Sequence, residues 1–144
     1  MRKTIHIIGG GLAGTEAAWQ VARRGHHAVL YEMRPVRSTP AHQTDRLAEL
    51  VCSNSLKSEQ ESSAPWLLKE ELRKLGSLLM LAAQKARVPG GHALTVDREL
   101  FGAEVTAAIA SEPLIELRRE EVTSLPVRRG GSARTALEKR RRGV

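Results

Sequence analysis

The glycines at positions 9, 11 and 14 are the residues whose spacing most directly indicates chemistry. They follow the apolar run 4–8 and match the G-x-G-x-x-G spacing of a loop that binds a dinucleotide pyrophosphate. In such a loop Gly9 makes the tight turn, Gly11 lets the pyrophosphate approach the backbone, and Gly14 lets the helix pack on its strand. The helix that follows would face the phosphates with free N–H groups and its positive dipole end. The sequence therefore predicts a dinucleotide site.

An acidic residue stands where such a site needs a ribose acceptor. Glu32 ends a predicted strand over 28–32 and lies 18 positions after Gly14, close to the roughly 20-residue spacing of the carboxylate that binds the adenosine ribose. The alternative is a βαβ unit that binds nothing and leaves Glu32 solvated, but the combined spacing favours the site. The predicted cofactor-binding residues are Gly9, Gly10, Gly11, Leu12, Ala13, Gly14 and Glu32.

Alternating helices and strands are expected to position these residues. The first helix, residues 12–24, has apolar residues at helical spacing and ends before Gly25. Beyond the loop at 33–42, the pattern predicts a helical turn at 45–51, helices at 65–75, 77–86 and 98–111, and strands at 93–96, 114–117 and 121–125. Ser62 or Ser63 and Asp97 are the expected helix caps. This alternation is typical of a parallel, three-layer α/β arrangement.

The composition fits one domain of 144 residues with few aromatic residues and one cysteine. A single cysteine excludes an internal disulfide framework, which fits a reducing compartment. The apolar run after the basic pair at 2–3 has only about five residues, too few for a signal peptide, and no run approaches the ~18 apolar residues of a membrane helix. We therefore expect a cytoplasmic chain without a membrane partner.

The net charge of +7 is concentrated near the C-terminus. Segment 127–144 holds seven basic residues and one acidic residue, so residues 1–126 are nearly neutral. A cluster of arginines can contact RNA by charge alone. A segment of this composition is more often disordered, and a disordered basic tail is our prediction for 127–144.

Several sequence blocks together resemble one family. They are IIGGGLAGTEAA at 7–18, YEMRP at 31–35, TPAHQTD at 39–45, AELVCSNS at 48–55 and VDR at 96–98. These blocks are similar to the N-terminal part of the TrmFO family, the folate- and FAD-dependent tRNA (uracil-5-)-methyltransferases. Many flavoproteins share the glycine block, whereas EMRP and LVCSNS at this spacing are much more specific. The resemblance covers residues 1–126 and implies a partial Rossmann-like FAD/NAD(P)-binding domain with a helical excursion.

The resemblance implies a flavoenzyme that methylates C5 of a T-loop uridine in tRNA. Methylenetetrahydrofolate would supply the carbon, reduced FAD the electrons, and NAD(P)H would be the ultimate reductant. By position, residues 9–14 would hold the FAD pyrophosphate and Glu32 its adenosine ribose. Cys52 matches one of two cysteines used near the flavin and the uracil, where a thiolate adds well to C6. Which thiol adds and which moves protons stays open, as does the oligomeric state.

Four further residues carry open alternatives. Apart from the family match, Cys52 could be a small buried hydrophobic residue. His42 is either a proton carrier beside the flavin or polar surface. Arg34 and Arg37 either pair with phosphate or are solvated.

The chain departs from the family pattern after residue 126. The second cysteine, the rest of the flavin-binding domain and the insert that handles tRNA have no counterpart, and an arginine-rich segment replaces the expected apolar strand. We expect an incomplete, inactive fragment and attribute the change to a shifted reading frame. Two other interpretations stay open: a fragment of a flavoprotein that modifies wobble uridines in tRNA, and a small non-catalytic nucleotide- or RNA-binding module.

Overall fold

The computed structural model describes residues 1–125, and the tail predicted for 127–144 lies outside them. Within this range the chain forms two sheets and four helices. In chain order the elements are β1 (Thr4–Ile8), α1 (Leu12–Arg23), β2 (His27–Glu32), β3 (Ser55–Ser58), α2 (Ala64–Lys74), α3 (Leu78–Lys85), β4 (Arg87–Val88), β5 (Ala93–Val96), α4 (Arg98–Ser111) and β6 (Ile115–Arg119). The predicted α/β class is confirmed.

A parallel sheet of order β1-β2-β6 carries the glycine loop at the carboxyl end of β1. Ala28 and Leu30 of β2 point to the helical side and join the buried core, since alternate strand residues face the same side. Ala18 and Ala22 of α1 lie in the same core. Small side chains on this helix face let α1 lie close to the sheet, which fixes the start of the helix beside the loop.

A second, antiparallel sheet of order β3-β5-β4 corrects the prediction of one parallel arrangement. β5 forms where expected but pairs in this sheet, and β3 and β4 form where no strand was predicted. β3 was missed because its residues are mostly polar and lack the apolar alternation that indicates a strand. Its pairing is also irregular between Ser55 and Ser58. Two other predictions are wrong: 45–51 is an irregular loop with one turn at 47–48 and no helical turn, and 121–125 is not a strand.

The predicted helix caps at Ser63 and Asp97 are confirmed. Ser63 Oγ accepts the Trp66 N–H at 3.4 Å and Asp97 Oδ1 accepts the Leu100 N–H at 2.9 Å. Leu100 is 45% exposed, because the buried side of α4 runs through Phe101, Val105 and Ile109, which are spaced four residues apart. None of the helices within 1–125 is long and apolar enough to cross a membrane.

β1 lies at an edge of the parallel sheet in the part of the chain that the structure describes. It pairs with β2 alone. Ile5 is 37% and Ile8 54% exposed. Parallel strands are normally covered on both faces, so β1 is unusually open for a strand of this composition.

Candidate functional site

The glycine loop lines a cleft of about 350 Å³ beside the carboxyl ends of the parallel strands. We call it the glycine-loop cleft. Four of the predicted cofactor-binding residues line it: Gly9, Gly10, Gly11 and Glu32. The other three, Leu12, Ala13 and Gly14, belong to the first turn of α1 and do not line the cleft. Ligands of open parallel sheets bind at this end of the strands.

The loop is tightly packed on its inner side. A Cβ on Gly10 would lie 2.6 Å from Leu47 Cδ2 and 2.7 Å from Glu32 Oε2, and a Cβ on Gly14 would overlap the carbonyl oxygen of Gly9. The close packing of helix on strand predicted for Gly14 is therefore confirmed. Gly10 likewise allows close packing, in its case against Leu47 and Glu32. The G-x-G-x-x-G pattern does not indicate this role, because position 10 is not one of its glycines.

The outer side of the loop is open. A Cβ on Gly9 or Gly11 would meet nothing within 4 Å, and Gly9 has a φ of +100°, a conformation that favours glycine. A ligand can thus approach the backbone along this side. The loop fits a pyrophosphate, because its glycines leave open the space that side chains would fill.

Attraction for phosphate at this cleft comes from the backbone. The N-cap Gly11 brings no side-chain acceptor to the first turn of α1, and that turn has no acidic residue. Its N–H groups and dipole therefore favour an anion. The charged side chains around the cleft do not favour an anion, since three are acidic (Glu32, Glu120 and Glu121) and one is an arginine, Arg34.

Glu32 is buried rather than solvated. Its Oε2 accepts the Gly10 N–H at 2.9 Å, and its Oε1 accepts the backbone N–H and the Nε–H of Arg34, each at 2.9 Å. Burial raises the pKa of Glu32, but these hydrogen bonds and the charge of Arg34 outweigh it and hold the pKa below its ordinary value. Three of the about four lone-pair sites of the carboxylate are used. One on Oε2 is not used by these three hydrogen bonds.

Arg34 is neither a solvated charge nor a free partner for phosphate. It is 2% exposed. Besides Glu32, its Nη1 donates to Glu49 Oε2 at 2.8 Å and to the carbonyl oxygen of Thr44 at 3.1 Å. Arg37, by contrast, is 64% exposed and pairs with Glu121 at the surface. No local sequence signal indicated Glu49, because it lies fifteen positions after Arg34 in the irregular connection between β2 and β3.

A second cleft, of about 280 Å³, lies between residues 41–51 and the N-terminal turn of α4. Cys52 follows this segment, lines neither cleft, and is an exposed free thiol. Its carbonyl oxygen accepts Nη2 of Arg98 at 3.4 Å. The alternative of a buried hydrophobic cysteine is therefore wrong. Residues 1–125 contain no group of side chains suited to hold a metal ion.

Several residues of the glycine-loop cleft were not predicted. Tyr31 and the segment 120–122 line it, because β6 pairs with β2 and so carries its following residues to the same edge. His42, for which a place beside the flavin was one of two alternatives, also lines the cleft, with Nδ1 2.6 Å from Thr39 Oγ1. Only the sheet register brings residues 31 and 120 together, and no local sequence signal reports it.

The glycine loop, the open helix start and the acidic end of β2 have the arrangement of α/β proteins with a dinucleotide-binding fold. A family model described as "Glucose inhibited division protein A" matches residues 4–142. The chain belongs to this family. A solved structure, that of Aquifex aeolicus GidA, has a TM-score of 0.67 over 89% of this chain and 21% of its own, and at 18% identity it supports the fold alone.

The sequence is also similar to curated proteins named Methylenetetrahydrofolate--tRNA-(uracil-5-)-methyltransferase TrmFO. Identity is 79% over 125 residues for the protein of Solibacter usitatus, 66% over 125 for Koribacter versatilis and 62% over 126 for Geobacter sulfurreducens. The matches cover 87–88% of this chain but only 28–29% of the relatives. The resemblance of this part of the chain to TrmFO is confirmed.

Proposed function

We propose that the chain is the FAD-binding N-terminal portion of a methylenetetrahydrofolate-dependent tRNA (uracil-5-)-methyltransferase. The observation that carries the proposal is the glycine loop, packed on the inside by Gly10 and Gly14 and open on the outside at Gly9 and Gly11. It occurs in a chain 79% identical to the matched part of a protein with that name. We extend the proposal to NAD(P)H as the reductant and to the cytoplasm as the location.

The loop and Glu32 would divide recognition of the adenosine half of FAD between them. Backbone N–H groups at the start of α1 would hold the pyrophosphate, and Oε2 of Glu32 would accept a ribose hydroxyl. A buried carboxylate at this point disfavours a ribose 2′-phosphate, so a cofactor with a free 2′-hydroxyl fits better than a phosphorylated one. Bound FAD would supply the electrons of the reaction.

Cys52 is the residue of this chain that we assign to the chemistry on uracil. Its exposure allows a macromolecular substrate to reach the thiol. Addition of the thiolate to C6 would make C5 nucleophilic toward the one-carbon unit. The other role open to a thiol is proton transfer, and it would fall to Cys52 if a second cysteine added to C6.

Binding of FAD and ADP to the purified chain tests the nucleotide part of this proposal. We expect both to bind weakly by isothermal titration calorimetry, because residues 1–125 provide only the adenosine side of such a site. Gly11→Val should abolish binding without unfolding the chain, since its side chain enters open space, and Cys52→Ala should bind as the wild type does. Absence of binding at millimolar ligand would contradict the proposal, and stoichiometric FAD after gel filtration would contradict an incomplete site.

Binding of tRNA separates the proposal from a basic RNA-binding module. The net charge of +7 lies mainly in residues 127–144, and contacts made by such a segment weaken steeply with salt. Strong, salt-sensitive tRNA binding that disappears when 127–144 are removed, together with no nucleotide binding, would favour the module. We expect the nucleotide binding to persist after that deletion.

A further inference from the structure

A buried ion network joins the glycine-loop cleft to the second cleft. Glu32 lines the first and Glu49 lines the second. Arg34 lies between them, with Nε 2.9 Å from Glu32 Oε1 and Nη1 2.8 Å from Glu49 Oε2. Because all three side chains are nearly excluded from water, removing the arginine would leave two uncompensated carboxylates.

Glu49 also accepts hydrogen bonds from residues of its own loop, next to Arg34. Its Oε1 accepts the Gln43 N–H at 2.8 Å, and its Oε2 accepts the N–H and the hydroxyl of Thr44 at 3.2 and 3.0 Å. The carbonyl oxygen of Thr44 accepts Nη1 of Arg34 at 3.1 Å. The loop over 43–49 is thus tied both to itself and to Arg34.

The same loop also contacts the glycine loop directly. The Ala48 N–H donates to the carbonyl oxygen of Gly10 at 2.8 Å, and Leu47 packs where a Gly10 side chain would be. The Gly10 N–H in turn donates to Glu32 Oε2 at 2.9 Å. Gly10, Glu32, Arg34 and Glu49 therefore form a closed chain of contacts through the loop.

We propose that Arg34 is a positioning residue for recognition of the adenosine ribose. Two donors from Arg34 hold Oε1 of Glu32, so the carboxylate cannot rotate and the free lone pair of Oε2 stays directed at the cleft. The same guanidinium holds the loop over 43–49 against Gly10. A lysine would keep the charge but lose the planar pair of donors that reaches both carboxylates. The inference rests on the proposed nucleotide binding.

A pair of ligands that differ only in ribose hydroxyls tests this role. The wild-type chain should bind ADP about tenfold tighter than 2′,3′-dideoxy-ADP in calorimetry, since a hydrogen bond to a charged acceptor contributes about that factor or more. Arg34→Lys keeps the backbone N–H donor to Oε1 but loses the Nε–H donor and the contact with Glu49, so it should lower the ratio severalfold, whereas a purely structural loss would weaken both ligands equally. Arg37→Lys, a nearby exposed arginine, is the matched control and should keep the tenfold ratio.

Hydrogen exchange supplies a readout that needs no ligand and no drastic variant. In Arg34→Lys the Gln43 and Thr44 amides should exchange at least tenfold faster, with β5 amides unchanged, and Arg37→Lys should match the wild type. If Arg34→Lys keeps both the tenfold ligand ratio and slow exchange, the inference about Arg34 is overturned and the proposed nucleotide binding is not affected. A wild-type ratio near one would overturn the Glu32 contact and the inference with it. No ADP binding at all would overturn the proposed nucleotide function.

Discussion

The parallel sheet and the antiparallel sheet of this chain are stabilised in different ways. β2 of the parallel sheet is buried over Ala28 to Glu32 and packs through its side chains. β3 of the antiparallel sheet is polar and half exposed. It is held by Lys69, whose Nζ donates to the carbonyl oxygens of Leu56 and Ser58 on β3 and of Pro65 on α2.

This difference separates two tasks. The parallel sheet depends on apolar burial and close backbone packing, which give the fixed geometry that a phosphate loop needs. β3 of the antiparallel sheet depends on a few directed hydrogen bonds, whereas β5 joins the common core through Leu94 and Val96. We therefore expect substitutions in the glycine loop and at Lys69 to affect different parts of the chain.

The largest effect should follow from Gly14→Ala in the parallel region. Its Cβ would overlap the backbone oxygen of Gly9, which cannot move without displacing the loop, so we expect a loss of about 3 kcal/mol or more in the free energy of unfolding. Gly11→Ala is the control and should cost about 1 kcal/mol or less, the effect of placing alanine at an N-cap. Urea denaturation measures both, and equal losses for the two variants would contradict the description of the loop.

Lys69→Met should destabilise the antiparallel region by about 2–3 kcal/mol, because buried carbonyl groups lose their donor. Burial lowers the pKa of Lys69, but the three carbonyl oxygens accept from its ammonium group. The exposed Lys74 of the same helix is the control, and Lys74→Met should cost less than about 0.5 kcal/mol. Hydrogen exchange should accelerate in β3 and β5 before β2; uniform acceleration would show that the two sheets are not separable.

Acid should weaken the junction between the two regions. Burial raises the pKa of Glu32 and Glu49, but hydrogen bonds and the charge of Arg34 outweigh it, so both values lie below the ordinary 4.5. The stabilisation is complete above about pH 4.5 and is lost as the pH falls through the folded-state values. Each carboxylate adds a slope of at most about 1.4 kcal/mol per pH unit.

Urea midpoints measured between pH 6 and pH 3 check this dependence. Glu49→Gln should be less stable at pH 6 and show a shallower acid slope than the wild type. The exposed Glu99 offers a control, and Glu99→Gln should leave the slope unchanged. An unaltered slope in Glu49→Gln would exclude the Glu49 carboxylate as a source of the acid sensitivity.

The smallest effect on folding should come from Cys52→Ala. The side chain is exposed and only its backbone contacts Arg98, so the unfolding free energy should change by less than about 0.5 kcal/mol. ADP affinity should also stay within about twofold, because Cys52 lies outside the glycine-loop cleft. Calorimetry and a thermal melt measure these quantities, and a larger drop in affinity would link the cysteine to the nucleotide site.

Local patterns allowed much of the parallel region to be predicted. Helix α1 and strand β2 lie within one residue of the expected bounds, because apolar spacing and a following glycine act over short distances. The caps at Ser63 and Asp97 depend on a side chain and an amide three residues apart. Gly9, Gly10, Gly11 and Glu32 were correctly expected to come together.

Contacts between distant segments explain what the sequence did not reveal. β3 forms only because β5, some forty residues later, pairs with it. Glu49 contacts Arg34, and Ala48 contacts Gly10. Both lie in an irregular loop, in which Ala48 has a φ of +52°. Neither periodicity nor composition encodes such pairings, so the partner of Arg34 became visible only in the fold.

The open side of β1 has a consequence for how the chain behaves at high concentration. Five residues of strand, with Ile5 and Ile8 exposed, present unpaired backbone groups along one edge within residues 1–125. Such an edge is a template on which another copy can add a strand, and successive additions would grow rather than close. The apparent molar mass measured by light scattering should therefore rise with protein concentration, and Ile5→Lys should suppress this rise.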